Sequence, residues 1–329
     1  MVTFGDSLSD NGNLYRFFWY KFPASPPYFE GRFSNGPLWI ERLFSSYFPP
    51  EYSQGFQDYA VGGAGAVLSL KESMPFTLTV ELNNYFYWHT YGKKETSLFT
   101  IWIGANNYLN GPTNVEVITE SVTDAISGAV ERIISYGGNK FFIPNLPDLG
   151  RIPQAKDMGN QELLARLVKV HNKKLAAKVD ALRIKYPEVT IFYFDVYDFF
   201  NTALEHPNDY GLYNATDPCY LGGYLGWLAK FEPGNPALYR YLTQQDSRFT
   251  GENWDMIKNN PSLKEAAIAS YTYQLLPSEN KAETPNCEGY IFWDRVHPTT
   301  NTHFYLAEKA RELLNEAGLE AFIPMKPTL

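Results

Sequence analysis

Residues 2–13 read VTFGDSLSDNGN, so a short apolar run meets a dense cluster of small polar residues. The apolar run is typical of a strand, and Gly5 allows a tight turn directly after it. Ser7 then lies at the end of that strand, where a following helix or turn presents free N–H groups. By itself the triplet around Ser7 is a weak sign of chemistry, because Gly, Asp and Ser also make up ordinary turns.

Four further apolar segments have the composition of buried strands. They begin at Gln57, Leu98, Lys140 and Val189, and the last three read LFTIWIG, KFFIPNL and VTIFYFDV. Their apolar positions are continuous rather than alternating, which is typical of strands that are covered on both faces. Helical patterns alternate with these segments. The order predicts an α/β fold with a central parallel sheet and helices on both faces.

Capping residues and apolar spacing predict three of the helices. In SNGPLWIERLFSSYF the N-cap is predicted to be Ser34 or Asn35. Residues 160–186 carry an apolar stripe at helical spacing. The last helix is predicted to begin within residues 299–301 and to end at Gly318.

Residues 201–288 break this pattern into clusters of Tyr, Asn, Pro and Gly, with one helical piece, PSLKEAAIASYTYQLL. The segment has little aliphatic core of its own. We therefore expect residues 1–329 to form a single domain in which residues 201–288 are an insertion at the ligand-binding edge of the sheet. Both cysteines, Cys219 and Cys287, lie in this segment. We expect a disulfide between them, with two separate buried thiols as the alternative, and a disulfide would imply an oxidising compartment.

The net charge and the distribution of apolar residues limit which partners are expected. Lys and Arg total 28, Asp and Glu total 36, and the formal net charge is −8, with no clustered basic stretch. This composition argues against nucleic acid as a partner. No run of about 18 apolar residues is present, so no membrane-spanning helix is expected. Transient contact with a membrane surface remains compatible with the sequence.

The position of Ser7 bears on targeting. Only a few residues precede the candidate active-site residue Ser7, and the strand that carries it would normally be longer. No signal peptide fits into these few residues. We therefore expect that an export signal preceding these residues has been removed.

Three further junctions could complete a site with Ser7. Residues 59–66 read YAVGGAGA, and their glycines let backbone N–H groups approach a ligand. Asn106 follows a predicted strand with an amide free to donate. Asp294 precedes His297 by three positions, just ahead of the last helix. An imidazole suits proton transfer near neutral pH, and an acid can hold its ring. Each junction alone is equally typical of a structural turn.

The other histidines have weaker claims to chemistry. His171 lies on the apolar stripe of a helix, which favours a hydrogen-bonded place in the core, and His303 belongs to the final helix. His89 and His206 lie in segments typical of a surface or a loop. No set of Cys, His or acidic residues has the spacing of a metal site, so the sequence predicts neither a metal nor another cofactor.

Six motifs occur in order over nearly the whole chain. They are FGDSLSDNGN, GRFSNGPLWIERL, YAVGGAGA, WIGANNYL, IPNLPDLGRIPQA and DRVHPT. Together they resemble the GDSL family of lipases and esterases, within the SGNH hydrolase group. No GxSxG elbow surrounds Ser7, so the larger α/β-hydrolase family is not the right comparison.

The resemblance implies a three-layer α/β/α, flavodoxin-like fold with a large insertion before the C-terminal Asp/His motif. It implies that Ser7 is the nucleophile, His297 the base and Asp294 the acid that orients His297. The implied oxyanion hole consists of the backbone N–H of Ser7, the backbone N–H of Gly63 and the side-chain amide of Asn106.

At one position the resemblance allows an alternative residue, and at another the sequence departs from the family pattern. Gly62 is the alternative to Gly63 if the glycine motif is aligned one position differently. Asn107 stands where many members of the family have Asp, which affects a local hydrogen bond but leaves the triad intact.

Within the family the chain looks most similar to secreted bacterial members. These are the thermolabile hemolysins, the glycerophospholipid:cholesterol acyltransferases, and the phospholipase A or lysophospholipase A enzymes. The resemblance implies a bacterial, secreted or periplasmic ester hydrolase that acts on lipid acyl esters, as a lysophospholipase A or phospholipase A with acyltransferase activity in addition.

Some of these relatives carry a disulfide-bounded loop whose proteolysis raises activity, and the segment between Cys219 and Cys287 resembles it. An activating protease would then be a partner. We expect the loop to form a lid or rim over an acyl-chain groove. Four aromatic side chains of the loop are predicted to contact lipid: Tyr220, Tyr224, Trp227 and Phe231.

Two other functions are compatible with the residues. A carbohydrate acetylesterase of the same family is the first, because aromatic rings stack on sugars as readily as they pack on acyl chains. A non-catalytic lipid- or glycan-binding protein is the second. The joint presence of Ser7, Gly63, Asn106, Asp294 and His297 argues against it.

Overall fold

The computed structural model describes residues 1–69, 74–91, 94–220, 236–275 and 286–321. Its central sheet contains β1 (Val2–Gly5), β2 (Gln57–Asp58), β3 (Phe99–Trp102), β4 (Lys140–Pro144) and β5 (Thr190–Phe194). The strands are all parallel and lie in the order β2-β1-β3-β4-β5. This is the strand order of flavodoxin-like folds. In it β2 lies on one side of β1 and the later strands lie on the other, so the topological switch point is between β1 and β3. The predicted α/β class with a parallel sheet is confirmed.

Helices flank this sheet and carry most of the remaining described chain. They are α1 (Asn13–Phe17), α2 (Trp39–Tyr47), α3 (Leu78–His89), α4 (Asn106–Leu109), α5 (Val115–Ser135), α6 (Pro153–Met158), α7 (Gln161–Lys185), α8 (Val196–Glu205), α9 (Pro236–Gln245), α10 (Gly251–Asn259), α11 (Pro261–Leu275) and α12 (Thr300–Glu316). Short 3₁₀ turns occupy Pro50–Gly55, Leu149–Arg151 and Pro207–Tyr210. Among the described residues no helix is both long and apolar enough to cross a membrane.

The close approach of β1 to β3 depends on a glycine. Gly5 pairs with Trp102 in the parallel register, and a Cβ atom at Gly5 would lie 2.6 Å from the carbonyl oxygen of Trp102. Any side chain at this position would push the two strands apart. The carboxyl ends of β1 and β3 are therefore held side by side, and the residues that follow both strands meet at one edge of the sheet.

The predicted N-cap of α2 is wrong. The helix begins at Trp39 with Leu38 as its N-cap, and Leu38 N donates to Oε2 of Glu41 at 2.9 Å. The side chain of Asn35 instead holds the start of α12, because its Oδ1 accepts a hydrogen bond from Thr300 N at 2.8 Å. A glutamate three residues into the helix has taken over the capping role, which leaves Asn35 free for a long-range contact.

The predicted disulfide is present. Cys219 and Cys287 are joined, with their Cα atoms 5.6 Å apart. They lie beside a second, two-stranded sheet formed by β6 (Asn214–Pro218) and β7 (Tyr290–Phe292), and Cys219 N donates to Phe292 O at 2.9 Å. The bond therefore ties together the two points at which the intervening chain leaves and rejoins this two-stranded sheet.

Helix α11, from that intervening chain, packs into the same hydrophobic core as the sheet. Leu263, Ala266 and Ala267 are fully buried on it and join the cluster that contains the strand residues Phe4 and Phe141. Burial at this depth fixes the helix firmly against the edge of the sheet where β1 and β3 end.

Candidate active site

Ser7 lies directly beyond β1, at the point where the chain leaves the sheet. The turn is closed by Asp6, whose Oδ1 accepts a hydrogen bond from Leu8 N at 3.1 Å. Ser7 is 4% exposed, so its hydroxyl faces the interior of a cleft rather than open solvent. This is the edge at which ligands bind in open parallel sheets.

His297 connects Ser7 to Asp294. Its Nε2 lies 3.0 Å from Oγ of Ser7, and its Nδ1 lies 2.7 Å from Oδ2 of Asp294. All three side chains are buried. A hydroxyl, an imidazole and a carboxylate in this order allow the base to take the proton of the hydroxyl while the acid orients the base. The structure thus brings together the three residues predicted as nucleophile, base and acid.

The spacing of three between Asp294 and His297 follows from the turn that they form. Oδ1 of Asp294 accepts hydrogen bonds from the backbone N–H groups of Val296 at 2.8 Å and His297 at 2.7 Å. Trp293 N donates to His297 O at 2.8 Å and closes the same loop. The side chain of Asp294 therefore folds its own loop and leaves its second oxygen for the imidazole.

The two acidic residues near His297, Asp294 and Asp6, have pKa values shifted in opposite directions. Burial by itself would raise the pKa of Asp294, but the charge of His297 and the hydrogen bonds from His297 and Val296 outweigh it and hold the pKa below its usual value. Asp6 has fewer donors, and burial raises its pKa to about 7. Asp294 is therefore the carboxylate that stays ionised next to the imidazole, while Asp6 exchanges its proton near neutral pH.

The backbone around the glycine motif distinguishes Gly63 from Gly62. Gly62 N donates to Oδ2 of Asp10 at 2.7 Å, so that N–H group is already bonded. Gly63 has a φ of +79°, which favours glycine, and its N–H donates to no described residue. The same holds for the N–H of Ser7. Gly63 is therefore the better oxyanion candidate of the two glycines.

Asn106 begins α4 directly after β3 and is 2% exposed. Its Nδ2 donates to Ala64 O at 3.0 Å. A primary amide has two N–H donors, so one remains for a ligand. The neighbouring Asn107 serves the backbone, since its Oδ1 accepts from Ala66 N at 2.8 Å and its Nδ2 donates to Val67 O at 2.9 Å. An aspartate there could make the first of these bonds but not the second, so the departure from the family pattern is local.

A cavity of about 40 Å³ opens beside Ser7. Its polar lining includes Ser7, Asn106 and His297. Its remaining wall is largely apolar and includes Leu109, Pro147, Leu149, Ile152, Phe200, Val296 and Leu306. A volume of this size holds about three water molecules. A long substrate would therefore extend beyond this cavity or displace side chains of its wall.

Comparison with known proteins assigns the chain to a family. The model of the GDSL-like Lipase/Acylhydrolase family matches residues 1–310, nearly the whole chain. The chain belongs to the GDSL-like lipase and acylhydrolase family. As a GDSL protein it is an enzyme of the lipase and esterase class, as the sequence motifs predict.

Three bacterial proteins are among the relatives of this GDSL chain. Phosphatidylcholine-sterol acyltransferase from Aeromonas hydrophila is 35% identical over 317 residues, which cover 94% of this chain and 88% of the relative. Thermolabile hemolysin from Vibrio parahaemolyticus is 28% identical, over 96% of this chain and 63% of its own length. The secreted effector protein SseJ from Salmonella typhimurium is 29% identical, over 68% of this chain and 53% of its own length. This chain therefore spans less than two thirds of the last two proteins.

Two residues from the chain between the cysteines, Ser262 and Asn260, contact the candidate active site. The sequence analysis identified neither of them. Ser262 places its Oγ 2.8 Å from Nε2 of His297 and 3.4 Å from Oγ of Ser7. Asn260 donates from Nδ2 to Gly63 O at 2.9 Å. The sequence does offer one signal, because an Asn directly before a helix that begins with Pro is a typical N-cap. Nothing local indicates that this cap lies on the active site.

Tyr28 is a third residue of the GDSL site that the sequence did not reveal. Its hydroxyl donates to Oδ2 of Asp294 at 2.7 Å. Burial, followed by the nearby charge of Asp294, raises the pKa of Tyr28 well above its usual value, so the hydroxyl remains a donor. Tyr28 lies in a proline-rich stretch with no periodicity, and its contact spans most of the chain.

The polar residues after Ser7 brace the loop. Oδ1 of Asp10 accepts from Gly12 N at 2.8 Å, and its Oδ2 accepts from Leu14 N at 3.1 Å. Ser9 accepts a hydrogen bond from the indole N–H of Trp39 at 3.2 Å. Together with the bond to Gly62, the carboxylate of Asp10 joins the loop after Ser7 to the glycine turn.

Of the four aromatic residues predicted to contact lipid, only Tyr220 belongs to the described chain. It is 4% exposed and stacks on Trp293 with ring centroids 4.9 Å apart. It does not line the cavity beside Ser7. The packing gives Tyr220 a place in the core and does not support a contact with lipid. Tyr224, Trp227 and Phe231 lie outside the described residues.

The buried histidines away from Ser7 occupy neutral core positions. His171 shares a hydrogen bond of 2.8 Å between its Nδ1 and the hydroxyl of Tyr108. His303 accepts from Trp39 N at 3.3 Å. Burial lowers the pKa of both imidazoles to about 3, so both are uncharged at neutral pH.

Proposed function

We propose that this GDSL enzyme is a serine hydrolase of lipid acyl esters that acts as a lysophospholipase A or phospholipase A and also transfers acyl groups to alcohols. The observation that carries the proposal is the chain of contacts from Ser7 through His297 to Asp294, in which Ser7 and His297 line an apolar cavity. The reaction proceeds in two steps through an acyl-enzyme.

In the first step Ser7 attacks the ester carbonyl. Nε2 of His297 takes the proton of Ser7 Oγ, and Asp294 stabilises the imidazolium that forms. The developing oxyanion accepts hydrogen bonds from the N–H groups of Ser7 and Gly63 and from the amide of Asn106. His297 then returns its proton to the leaving alcohol, and Ser7 remains esterified.

In the second step an acceptor takes the acyl group from Ser7. His297 accepts the proton of a water molecule or an alcohol as its oxygen attacks the acyl carbonyl. The ester bond to Ser7 breaks, and His297 returns the proton to Oγ. Water yields a free acid, whereas an alcohol yields a new ester.

The apolar wall of the cavity favours an acyl chain over an acetylated sugar. Leu109, Leu149, Ile152 and Phe200 present hydrocarbon to the side of Ser7, and burial of a methylene against such a surface contributes about 0.8 kcal/mol. An acetyl group would leave most of this surface unused. The match to a phosphatidylcholine-sterol acyltransferase supports a lipid ester as the substrate.

A single hydrolysis panel tests the proposal. Wild type and Ser7→Ala are assayed on lysophosphatidylcholine, phosphatidylcholine, p-nitrophenyl esters of short and long acids, and an acetylated xylo-oligosaccharide. We expect turnover of the lipids and the long ester, and its loss by at least about 10³-fold in Ser7→Ala. Activity on the acetylated sugar alone would overturn the lipid proposal in favour of a carbohydrate acetylesterase.

We further propose that the enzyme works outside the cytoplasm, in a secreted or periplasmic location. The disulfide between Cys219 and Cys287 supports this proposal, because such bonds persist in oxidising compartments. Immunodetection in periplasmic extract and culture medium of the source bacterium tests it, and recovery in the cytosol alone would contradict it.

The proposed lid includes residues outside the described chain, and we propose that a protease acts on it. Limited proteolysis between the two cysteines is expected to raise lysophosphatidylcholine turnover. Binding of the cleaved and intact proteins to lipid vesicles would show whether the cut also changes contact with a membrane surface. Cleavage that leaves turnover unchanged would contradict a regulatory role.

A further inference from the structure

A second hydroxyl lies on the same nitrogen of His297 as Ser7. Oγ of Ser262 is 2.8 Å from Nε2 of His297, against 3.0 Å for Oγ of Ser7. The two hydroxyl oxygens are 3.4 Å apart. Ser262 is 1% exposed. A neutral Nε2 has one lone pair, so only one of the two hydroxyls can donate to it at a time.

The start of α11 is held firmly at this position. Oδ1 of Asn260 accepts from Ser262 N and Leu263 N, each at 3.1 Å. One turn further on, Glu265 is 5% exposed and bonds to Nε and Nη2 of Arg295 at 2.7–3.0 Å. Arg295 lies between Asp294 and His297 in the sequence. The helix that carries Ser262 is therefore anchored to the loop that carries the base.

Acyl transfer through Ser7 requires one further oxygen beside Nε2. The second step has the geometry of the first step run backwards. The acceptor of the second step therefore occupies the same position as the leaving alcohol of the first step. That oxygen must lie within hydrogen-bond distance of Nε2 and close to the carbonyl carbon on Ser7 Oγ. Ser262 Oγ meets the first requirement at 2.8 Å from Nε2, and its distance of 3.4 Å from Ser7 Oγ puts it next to the atom that carries the acyl carbon.

We propose that Ser262 occupies the acceptor subsite and determines whether water or an alcohol takes the acyl group. The inference rests on the proposed function, because it concerns the second step of that reaction. The acceptor oxygen replaces Ser262 Oγ at Nε2, and Ser262 turns to another staggered rotamer with its own proton retained. His297 takes the acceptor's proton, the acceptor oxygen bonds to the acyl carbon, and the bond to Ser7 Oγ breaks as that oxygen regains the proton.

The size of residue 262 then decides which acceptor fits. Water occupies little more than the place of the Ser262 hydroxyl, whereas an alcohol also needs room for its first carbon. Ser262→Ala creates that room and favours the alcohol. Ser262→Thr adds a methyl group beside Nε2 and favours water. The two variants therefore change the product ratio in opposite directions.

The test measures that ratio directly. Wild type, Ser262→Ala and Ser262→Thr hydrolyse a p-nitrophenyl ester at a fixed concentration of 1-butanol, and the butyl ester and free acid are quantified by chromatography. Both products arise from the same acyl-enzyme, so changes in acylation rate cancel. We expect the ratio of ester to acid to rise about fivefold in Ser262→Ala and to fall in Ser262→Thr.

Ser270→Ala is the matched control. Ser270 lies on the same helix, is also 1% exposed, and donates its hydroxyl to Ala266 O at 2.7 Å. Its loss should leave the ratio at the wild-type value. An unchanged ratio in either active Ser262 variant would overturn the inference while leaving the proposed function intact. Absence of ester turnover in the wild type would remove the proposed function and this inference with it.

Discussion

Tyr28 and Asp294 share a hydrogen bond of 2.7 Å from the tyrosine hydroxyl to the carboxylate Oδ2. The same oxygen lies 2.7 Å from Nδ1 of His297. Tyr28 and the imidazole of His297 therefore both hydrogen-bond to Oδ2 of Asp294 and share its negative charge. A donor in this position stabilises the carboxylate but reduces the charge that it offers to the imidazolium.

Tyr28→Phe removes this donor and leaves the ring in place. More of the negative charge of Asp294 is then available to the imidazolium of His297, so we expect the acidic limb of kcat/KM against pH to move to higher pH. A pH profile from pH 4 to 9 on a p-nitrophenyl ester measures the shift.

Tyr220→Phe is the control for this experiment, because Tyr28 and Tyr220 both pack on Trp293. The hydroxyl of Tyr220 points to Ala269 O, at 3.5 Å, and not to Asp294. Its profile should match the wild type. A limb that stays in place in Tyr28→Phe would show that the tyrosine supports the fold only.

Asn106→Ala removes the side-chain donor predicted for the oxyanion hole. We expect kcat to fall about 10²- to 10³-fold with little change in KM, because the lost hydrogen bond forms chiefly in the transition state. Asn107→Ala is a demanding control, since Asn107 bonds to the backbone of residues 66 and 67. That variant should lose thermal stability more than kcat. Near-full activity of Asn106→Ala would contradict the oxyanion assignment.

Asn260 has two roles that substitutions can separate. Its Oδ1 caps α11, and its Nδ2 holds the carbonyl of Gly63. Asn260→Asp keeps the cap but removes the donor, whereas Asn260→Ala removes both. We expect kcat to fall about tenfold in both variants, and the free energy of unfolding to fall by about 1 kcal/mol more in the alanine variant. Wild-type kcat in Asn260→Asp would mean that Gly63 needs no such support.

The raised pKa of Asp6 predicts a pH-dependent stability. Burial raises this pKa to about 7 in the folded state, so the native chain binds the proton more tightly than the unfolded chain does. The resulting contribution is fully present below the usual carboxyl pKa near 4 and is lost as pH rises towards 7. Asp6→Asn stays neutral throughout.

Thermal unfolding of wild type and Asp6→Asn from pH 4 to 8 measures this effect. The wild type should lose stability relative to the variant as pH rises, by at most about 4 kcal/mol. The charges of His297 and Asp10 also act on Asp6, and both are retained in the variant. Parallel curves for the two proteins would show that Asp6 titrates as an ordinary carboxyl does.

Much of the fold could be predicted because its signals are local. The continuous apolar runs became β1, β3, β4 and β5 of a parallel sheet, and helix α12 begins at Thr300 with Thr299 as its N-cap. The cap of α2 failed, because Asn35 has the chemistry of an N-cap but bonds to Thr300 instead. A polar side chain can satisfy either a local or a distant partner, and composition does not distinguish the two.

The sequence by itself determined that Ser7, Asn106 and the pair of Asp294 and His297 follow strands or precede a helix, where a parallel sheet collects such residues at one edge. Its motifs also determined the family. Only the tertiary structure decided that the N–H of Gly62 bonds to Asp10 while the N–H of Gly63 donates to no described residue.

Only the tertiary structure, too, placed Ser262, Asn260 and Tyr28 on the site and Tyr220 in the core. The physical reason is the range of the interactions. Caps, turns and apolar periodicity depend on neighbours within a few residues, and the sequence records them directly. Tyr28 and Ser262 reach the active site because the packing of buried side chains brings distant segments together, and no local pattern encodes that packing.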